Sequence, residues 1–309
     1  MLMNQVLIID KSAGMTSHDV VNRVRRILGE RSVGHLGTLD PAATGVLPLV
    51  VGNFTRLAQF YLGAEKSYEG TIRLGFATDT YDAEGEAVEN TMVSSRSIAE
   101  LSIVEVREAA SRFLGKIDQL PPPFSAKKIK GVPAYKLARK QEVVELRPVA
   151  VEVHEFELLA PESSGPENSG IDLPRIAFRA RVSAGTYIRS LAHDLGQALG
   201  CGGHLETLRR TTHGEFGLED AHTLDVLASA AKEEQEKFFL HPRKLLPKIP
   251  AVTANEQQMA LIQCGRSVNL PEMSKSKYVK VFRGQREIIA IASRVAGTLF
   301  HPKIVLVQG

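Results

Sequence analysis

The sequence predicts an α+β fold, a large domain built on a mixed and antiparallel sheet followed by a small C-terminal β-barrel. Three observations carry that expectation. Strand-type and helix-type patterns come in runs, without the regular βαβ alternation of a doubly wound parallel sheet. The stretch Leu240 to Pro250 (LHPRKLLPKIP), with three prolines and three basic residues, punctuates the chain. Beyond it lie one helical pattern and several short β-type runs, which suit a small barrel. The 309 residues exceed the ~100 to 200 of a single domain, so the boundary is drawn to give domains 1–245 and 246–309.

Each element has a local reason. Val6 to Ile9 is an apolar run that reads as a strand and is broken by Asp10-Lys-Ser-Ala-Gly14. Thr16 and Ser17 offer helix caps, Asp19 suits a first turn, and Val20, Val21, Val24, Ile27 and Leu28 follow at helical spacing. Arg31 to Gly52, with four glycines and two prolines around short apolar runs, reads as loops packed against strands. Tyr68 to Phe76 alternates as a strand does, Thr78 to Gly85 is a polar turn, and Ser97 to Leu114 reads as a helix. Val149 to Leu159 and Ile176 to Val182 alternate as two antiparallel strands joined by a Ser-, Gly- and Pro-rich loop, 161–174. Gly185-Thr-Tyr-Ile-Arg-Ser190 opens a helix that Gly200 stops. In the C-terminal part, Glu256 to Gln263 reads as helix, and Val279 to Phe282, Ile288 to Ala292 and Ile304 to Val307 as strands.

Composition narrows the function. Hydrophobic residues at 43% and charged residues at 24% fit a folded chain rather than a disordered one. No apolar stretch approaches the ~20 residues that cross a bilayer, and the first ten residues hold no Lys or Arg for a signal peptide. A cytoplasmic protein without a membrane partner is expected. Cys201 and Cys264 are the two cysteines, and with no CxxC they build neither a disulfide framework nor a four-cysteine zinc site. The net charge of +3 says little, but its distribution says more. From Pro121 to Lys140 there are six basic residues, Lys128 among them, and no acid, interleaved with Phe124 and Tyr135. That pattern suits phosphates and unstacked bases, or a solvated face.

Several chemistries fail on spacing. The chain has neither a phosphate-binding GxxxxGK[ST] loop nor a strand-linked GxGxxG. His204-Leu-Glu206 matches half of a zinc-deaminase signature, and the PCxxC half is missing. No HExxH pair exists, and Asp79, Asp82, Glu84 and Glu86 lack the order of a calcium loop. No metal is expected, and His204 and His213 read as structural. The densest stretch is Gly34-His-Leu-Gly-Thr-Leu-Asp-Pro-Ala-Ala-Thr-Gly45, which holds one carboxylate, Asp40, with no other acid within nine positions. Asp before Pro is common in turns, so Asp40 reads either as a turn residue or as a site carboxylate. If buried, it needs a cation from elsewhere in the chain, and Arg189 is a reasonable supplier.

This stretch is similar to the signature of the TruB-type tRNA pseudouridine(55) synthases, bacterial relatives of dyskerin. Further blocks agree in order: Ile9 to His18, Lys66-Ser-Tyr68, Thr78 to Gly85, Pro121 to Gly131 with Tyr135, and Ser183 to Ser190 with Leu208-Arg-Arg-Thr211. The resemblance spans about residues 5 to 217. Pro133 stands where the family usually has a basic residue and Phe54 where it commonly has Ala. The last 60 or so residues resemble the family's PUA-like RNA-binding domain more weakly.

The resemblance implies a pseudouridine-synthase catalytic domain that turns a uridine in the tRNA T-loop into its C-glycoside. It implies Asp40 as the catalytic group, Tyr68 stacking on the flipped base, and Arg189 pairing with Asp40. His35 would fill the space the base vacates, with Thr38, Asp82, Lys128, Tyr187, Leu208 and Arg209 at the RNA. An acid such as Asp82, near phosphates, suits orienting a basic neighbour better than touching RNA. No cofactor is implied, since rotating and reattaching uracil changes neither redox state nor composition. The partner implied is the T-stem-loop of tRNA, bound by a monomer with no obligatory protein partner. Two other readings stay open. One is an RNA-binding or folding-helper module that no longer catalyses, and the other is guide-directed modification of ribosomal RNA. Activity of the isolated chain on a bare T-stem-loop separates them.

Overall fold

The computed structural model describes residues 4–88, 101–124, 128–129, 132–133, 146–159 and 175–307. The chain forms two compact units, one of residues 1–41, 45–62 and 213–309, the other of 42–44 and 63–212. Among the described residues no helix is long and apolar enough to cross a membrane. The expected fold class is found, with a mixed sheet, helices and a separate C-terminal sheet.

In the first unit the strand Gln5–Lys11 runs antiparallel to Thr44–Val51, with Leu7 opposite Leu49 and Ile8 opposite Pro48, and parallel to Ala221–His222. Its Val6 to Ile9 core is fully buried, which is why it reads as a run instead of an alternation. Val33–His35 pairs with the end of Thr44–Val51, His35 opposite Leu49. Helix Ser17–Leu28 starts in a reciprocal cap: Thr16 Oγ1 accepts from the Asp19 amide at 3.1 Å and the Asp19 carboxylate accepts from the Thr16 amide at 3.0 Å. Gly29, at φ 66°, ends it in the left-handed conformation.

The C-terminal part of this unit is a five-stranded sheet in the order Ala251–Thr253, Tyr278–Arg283, Glu287–Ala296, Leu299–Val305, Val268–Asn269, with helix Glu256–Gln263. The sheet fits a PUA-like domain. Its last long strand begins five residues before the expected Ile304 because Leu299 to His301 continue the antiparallel ladder with Glu287–Ala296. One apolar cluster joins Val6, Ile8, Val46, Phe54 and Tyr61 to Leu245, Leu246, Phe282, Ile288, Ile304 and Leu306. Leu245 and Leu246, at the boundary drawn from sequence, are therefore part of a shared core. Phe54, at the position where the resemblance leads one to expect Ala, is buried there.

The second unit is a sheet in the order Gly203–His213, Lys66–Leu74, Arg175–Val182, Val149–Leu158, Gly115–Gln119. Tyr68 lies opposite Ala180, and Ile117 opposite Val151. Ile72, Phe178, Val182, Val153 and Leu158 are buried, and the alternate positions carry ion pairs: Arg179 with Glu69 at 3.0 Å, Arg181 with Glu65 at 3.0 Å, Arg175 with Glu206 at 2.8 Å. One buried and one solvated face produce the alternation seen in the sequence. The helix expected over 97–114 is Ile103–Ser111, because Ser102 caps it in a reciprocal pair with Glu105; residues 97–100 lie outside the described residues. The loop 161–174 and most of the basic segment 121–140 also lie outside them.

Strand Gly203–His213 had no apolar alternation to betray it. Its buried positions include His204, Arg210 and His213, with the small Gly203 and only Leu205 apolar. At Gly70 a Cβ would sit 2.2 Å from the Thr207 carbonyl oxygen, so only glycine admits this strand so close.

Candidate active site

The candidate residues fall into two groups, one in each unit. In the first unit, His35 ends its strand half-buried, Thr38 is exposed, and Asp40 is half-buried in the loop that follows. This loop is held through the residues flanking Asp40. On one side the buried Ser17 hydroxyl accepts from the Leu39 amide at 2.8 Å and donates to the Leu39 carbonyl at 3.1 Å. On the other, the Pro41 carbonyl accepts from Lys11 Nζ at 3.0 Å and from the Gly14 amide at 2.9 Å. Lys11 is fully buried and also donates to the carbonyls of Met15 at 2.8 Å and Ser12 at 3.0 Å. A buried ammonium satisfied by three carbonyls ties the first turn after strand Gln5–Lys11 to the Asp40 loop. Ser17, expected as a cap, is instead the clamp on Leu39, and Thr16 is the cap.

In the second unit, Arg189 is the second residue of helix Ile188–Ala198 and its side chain is only 8% exposed. Its NH1 donates to Asp82 Oδ2 at 3.2 Å and to the Thr80 carbonyl at 3.2 Å, and its NH2 donates to the Phe124 carbonyl at 3.0 Å. Asp82 is bound on its other oxygen too: Oδ1 accepts from Thr80 Oγ1 at 2.5 Å and from the Glu84 amide at 3.1 Å. The turn closes tightly at Gly85, where a Cβ would meet Asp79 Oδ1 and Thr80 Oγ1 at 2.3 Å. Tyr187, half-buried, is the residue before the helix. The buried Gln119 amide accepts from its N–H at 2.8 Å and donates to its carbonyl at 3.0 Å, and Ser190 Oγ donates to the Leu120 carbonyl at 2.7 Å. The end of strand Gly115–Gln119 thereby fixes the helix start that carries Arg189.

Tyr68 is 7% exposed on strand Lys66–Leu74. Lys66, two residues earlier on the same face, donates to the Ala64 carbonyl at 2.9 Å. Burial, reinforced by the Arg210 guanidinium, pushes its amine down to about 8. Leu208 and Arg209 are half-buried on strand Gly203–His213, with Arg209 NH1 donating to Thr44 Oγ1 at 3.4 Å. The backbone of Lys128 lies in the short strand Lys128–Ile129, and its side chain is outside what is described. His204 is buried and its Nδ1 lies 3.1 Å from the Phe76 carbonyl oxygen, a structural placement. Both cysteines are free, Cys201 buried and Cys264 exposed. Sequence reasoning missed Lys11, Ser17 and Gln119 as the groups that place Asp40 and Arg189. Their partners lie 30, 22 and 68 positions away, a separation at which no local pattern operates.

Comparison with known proteins identifies the family. Residues 25–188 match the family model described as TruB family pseudouridylate synthase (N terminal domain), and residues 189–248 match the tRNA pseudouridylate synthase B C-terminal domain. The chain is 47% identical over 308 residues to a tRNA pseudouridine synthase B of Solibacter usitatus, covering 98% of this chain and 100% of that one. It is 40% identical to the protein of the same name from Aquifex aeolicus, covering 99% and 100%. Among solved structures, an archaeal box H/ACA sRNP Nop10-Cbf5 complex contains a chain similar to this one with a TM-score of 0.68 and 25% identity, covering 98% of this chain and 86% of that one.

Proposed function

We propose that this chain, which belongs to the TruB family of pseudouridylate synthases, isomerises the uridine at position 55 in the T-loop of tRNA to pseudouridine. The reaction breaks the bond from ribose C1′ to uracil N1 and makes one from C1′ to C5. The C5 proton leaves and N1 ends protonated, so the balance needs no oxidant, reductant or second substrate. To reach the glycosidic bond the nucleotide leaves its stack, which costs a few kcal/mol unless protein surfaces replace what is lost. In this reading Tyr68 supplies the stacking face, His35 fills the vacated space, and Asp40 drives cleavage and re-formation of the bond. Arg189, held by Asp82, supplies positive charge for the reaction. Thr38, Tyr187, Leu208, Arg209 and Lys128 contact the RNA.

The single observation that carries this reading is the Asp40 loop. In a chain 47% identical to a tRNA pseudouridine synthase B, its one carboxylate is oriented by buried bonds to Leu39 and Pro41 on either side. The enzyme acts as a monomer without an obligatory protein partner. Tritium release from a uracil-labelled T-stem-loop, with the purified chain alone, tests this. Wild type releases the label, whereas Asp40→Asn leaves under about 1% of the turnover and holds hairpin affinity within about tenfold, since an isosteric change removes only a charge used in the chemistry. Binding without release by wild type would indicate a folding helper, and release only with a guide RNA and partner proteins would indicate guide-directed modification.

A further inference from the structure

The turn that carries Asp82 contains a backbone anomaly. Tyr81 has φ 66°, in the left-handed region that bulky side chains avoid. Strain of this kind persists only where surroundings over-determine it. Here the backbone part of that determination is visible: the Tyr81 amide donates to the Thr78 carbonyl at 3.3 Å, and the Tyr81 carbonyl accepts from the Leu205 amide at 3.0 Å. The Ala83 amide in turn donates to the Leu205 carbonyl at 3.0 Å. The side-chain part is a stack. The Tyr81 ring lies on the His193 imidazole with centroids 3.7 Å apart and planes 11° from parallel.

His193 follows Arg189 by four residues on helix Ile188–Ala198, so the two project from one face of the helix. That face therefore holds the turn at two adjacent points, Arg189 at Asp82 and the Thr80 carbonyl, His193 at the ring of Tyr81. His193 Nδ1 is buried without a hydrogen-bond partner, and burial lowers the pKa of the ring, so a neutral imidazole faces the tyrosine at neutral pH. A hydrogen-bonding role would leave that nitrogen paired; a stacking role does not need it.

We propose that His193 is a positioning residue for the reaction, acting by stacking on Tyr81 to hold the left-handed turn in the conformation that delivers Asp82 to Arg189. The proposal rests on the reading of Arg189 and Asp82 as part of the catalytic machinery. Without the stack the turn can relax its strained residue, Asp82 shifts, and the guanidinium loses the partner that fixes its orientation.

The test is a single-turnover time course on the labelled T-stem-loop with four variants, His193→Ala, His193→Phe, Tyr81→Gly and Arg189→Met. His193→Ala should lower the rate constant roughly tenfold, a loss typical of a small displacement of a catalytic group, while the enzyme concentration for half-maximal rate stays within about twofold. His193→Phe keeps a flat ring and should restore the rate constant to within about twofold of wild type. Tyr81→Gly accepts the left-handed conformation but removes the ring, and should be slowed as His193→Ala is. At saturating enzyme, in excess over the hairpin, loss of part of the folded protein leaves the rate constant untouched. If His193→Ala folds too poorly to assay, slow turnover in Tyr81→Gly with recovery in His193→Phe supports the proposal by itself. An unchanged rate constant in His193→Ala or Tyr81→Gly, or failure of His193→Phe to restore it, overturns the proposal when Arg189→Met is inactive. An active Arg189→Met overturns instead the underlying reading of Arg189.

Discussion

The Asp40 loop and the Asp82 turn each carry an acid in a short glycine-containing segment, and the bonds that fix their backbones differ. Around Asp40 the ties run through neighbouring backbone, from Ser17 to Leu39 and from Lys11 and Gly14 to Pro41. Around Asp82 they run through the carboxylate itself, to Thr80, Glu84 and Arg189. An acid oriented through its neighbours can change charge or partner during a reaction without dismantling its loop. An acid that is itself the tie cannot. The proposed roles follow this difference, with chemistry for the first and positioning for the second.

The sharpest way to break this comparison is to remove each carboxylate in turn and measure stability. Asp82→Ala removes a carboxylate from the Arg189 guanidinium, whose side chain is 8% exposed. Breaking a buried pair from one side costs about 3–5 kcal/mol. The carbonyls of Thr80 and Phe124 remain for Arg189, which places the expected loss toward the lower end of that range. Thermal and urea unfolding followed by circular dichroism should show that loss in Asp82→Ala and little change in Asp40→Asn. Equal losses would mean that Asp40 is also a tie and that the contrast between the two segments fails.

A smaller effect is expected from Lys11→Met, which tests the other half of the comparison. The variant removes the shared donor from three part-buried carbonyls, of which Pro41 keeps the Gly14 amide, and each buried group left unsatisfied costs roughly 1–3 kcal/mol. Because the Pro41 carbonyl loses one of its two donors, the loop next to Asp40 loosens, and the single-turnover rate constant should fall along with the melting temperature. A lowered melting temperature with an unchanged rate constant would make Lys11 a core residue only, and leave Ser17 and Gly14 as sufficient to orient Asp40.

What could be read in the sequence follows the same division between local and distant causes. The strand Val6 to Ile9, the Thr16 cap and the helix Glu256–Gln263 are local patterns, and the structure places them at or within a residue or two of the expected bounds. The Asp40 loop was legible as a motif, because its glycines, Pro41 and lone acid occur in one stretch. The ties that orient it were not, since Lys11 and Ser17 look like a loop breaker and a cap. Strand Gly203–His213 escaped notice because several of its buried positions carry histidine and arginine, which hydrogen bonds and charges stabilise in ways that periodicity does not record. The Asp82–Arg189 pair joins residues 107 positions apart; sequence placed Asp82 near RNA as an orienting acid, and only the fold identifies the cation that it holds.

The smallest predicted effect concerns Asp194, a carboxylate on the Arg189 helix that has no ion-pair partner among the described residues. Burial pushes it up to about 6, so it provides the contrast to Asp82, which lies against a guanidinium. The sign of the stability effect follows from where protons bind. With a folded pKa above the unfolded value of 3.8, the folded state holds the proton more tightly, so this group's contribution to stability falls as pH rises through the interval from about 4 to about 6. Above that interval the cost of burying the charge is fully present; below it both states are neutral. Asp194→Asn removes the charge at every pH. The variant should therefore melt higher than wild type at pH 8 and at nearly the same temperature at pH 4. A difference that is the same at both pH values would mean that the amide alters packing rather than charge, and that Asp194 is solvated well enough to ionise without penalty beside the helix face that holds the Asp82 turn.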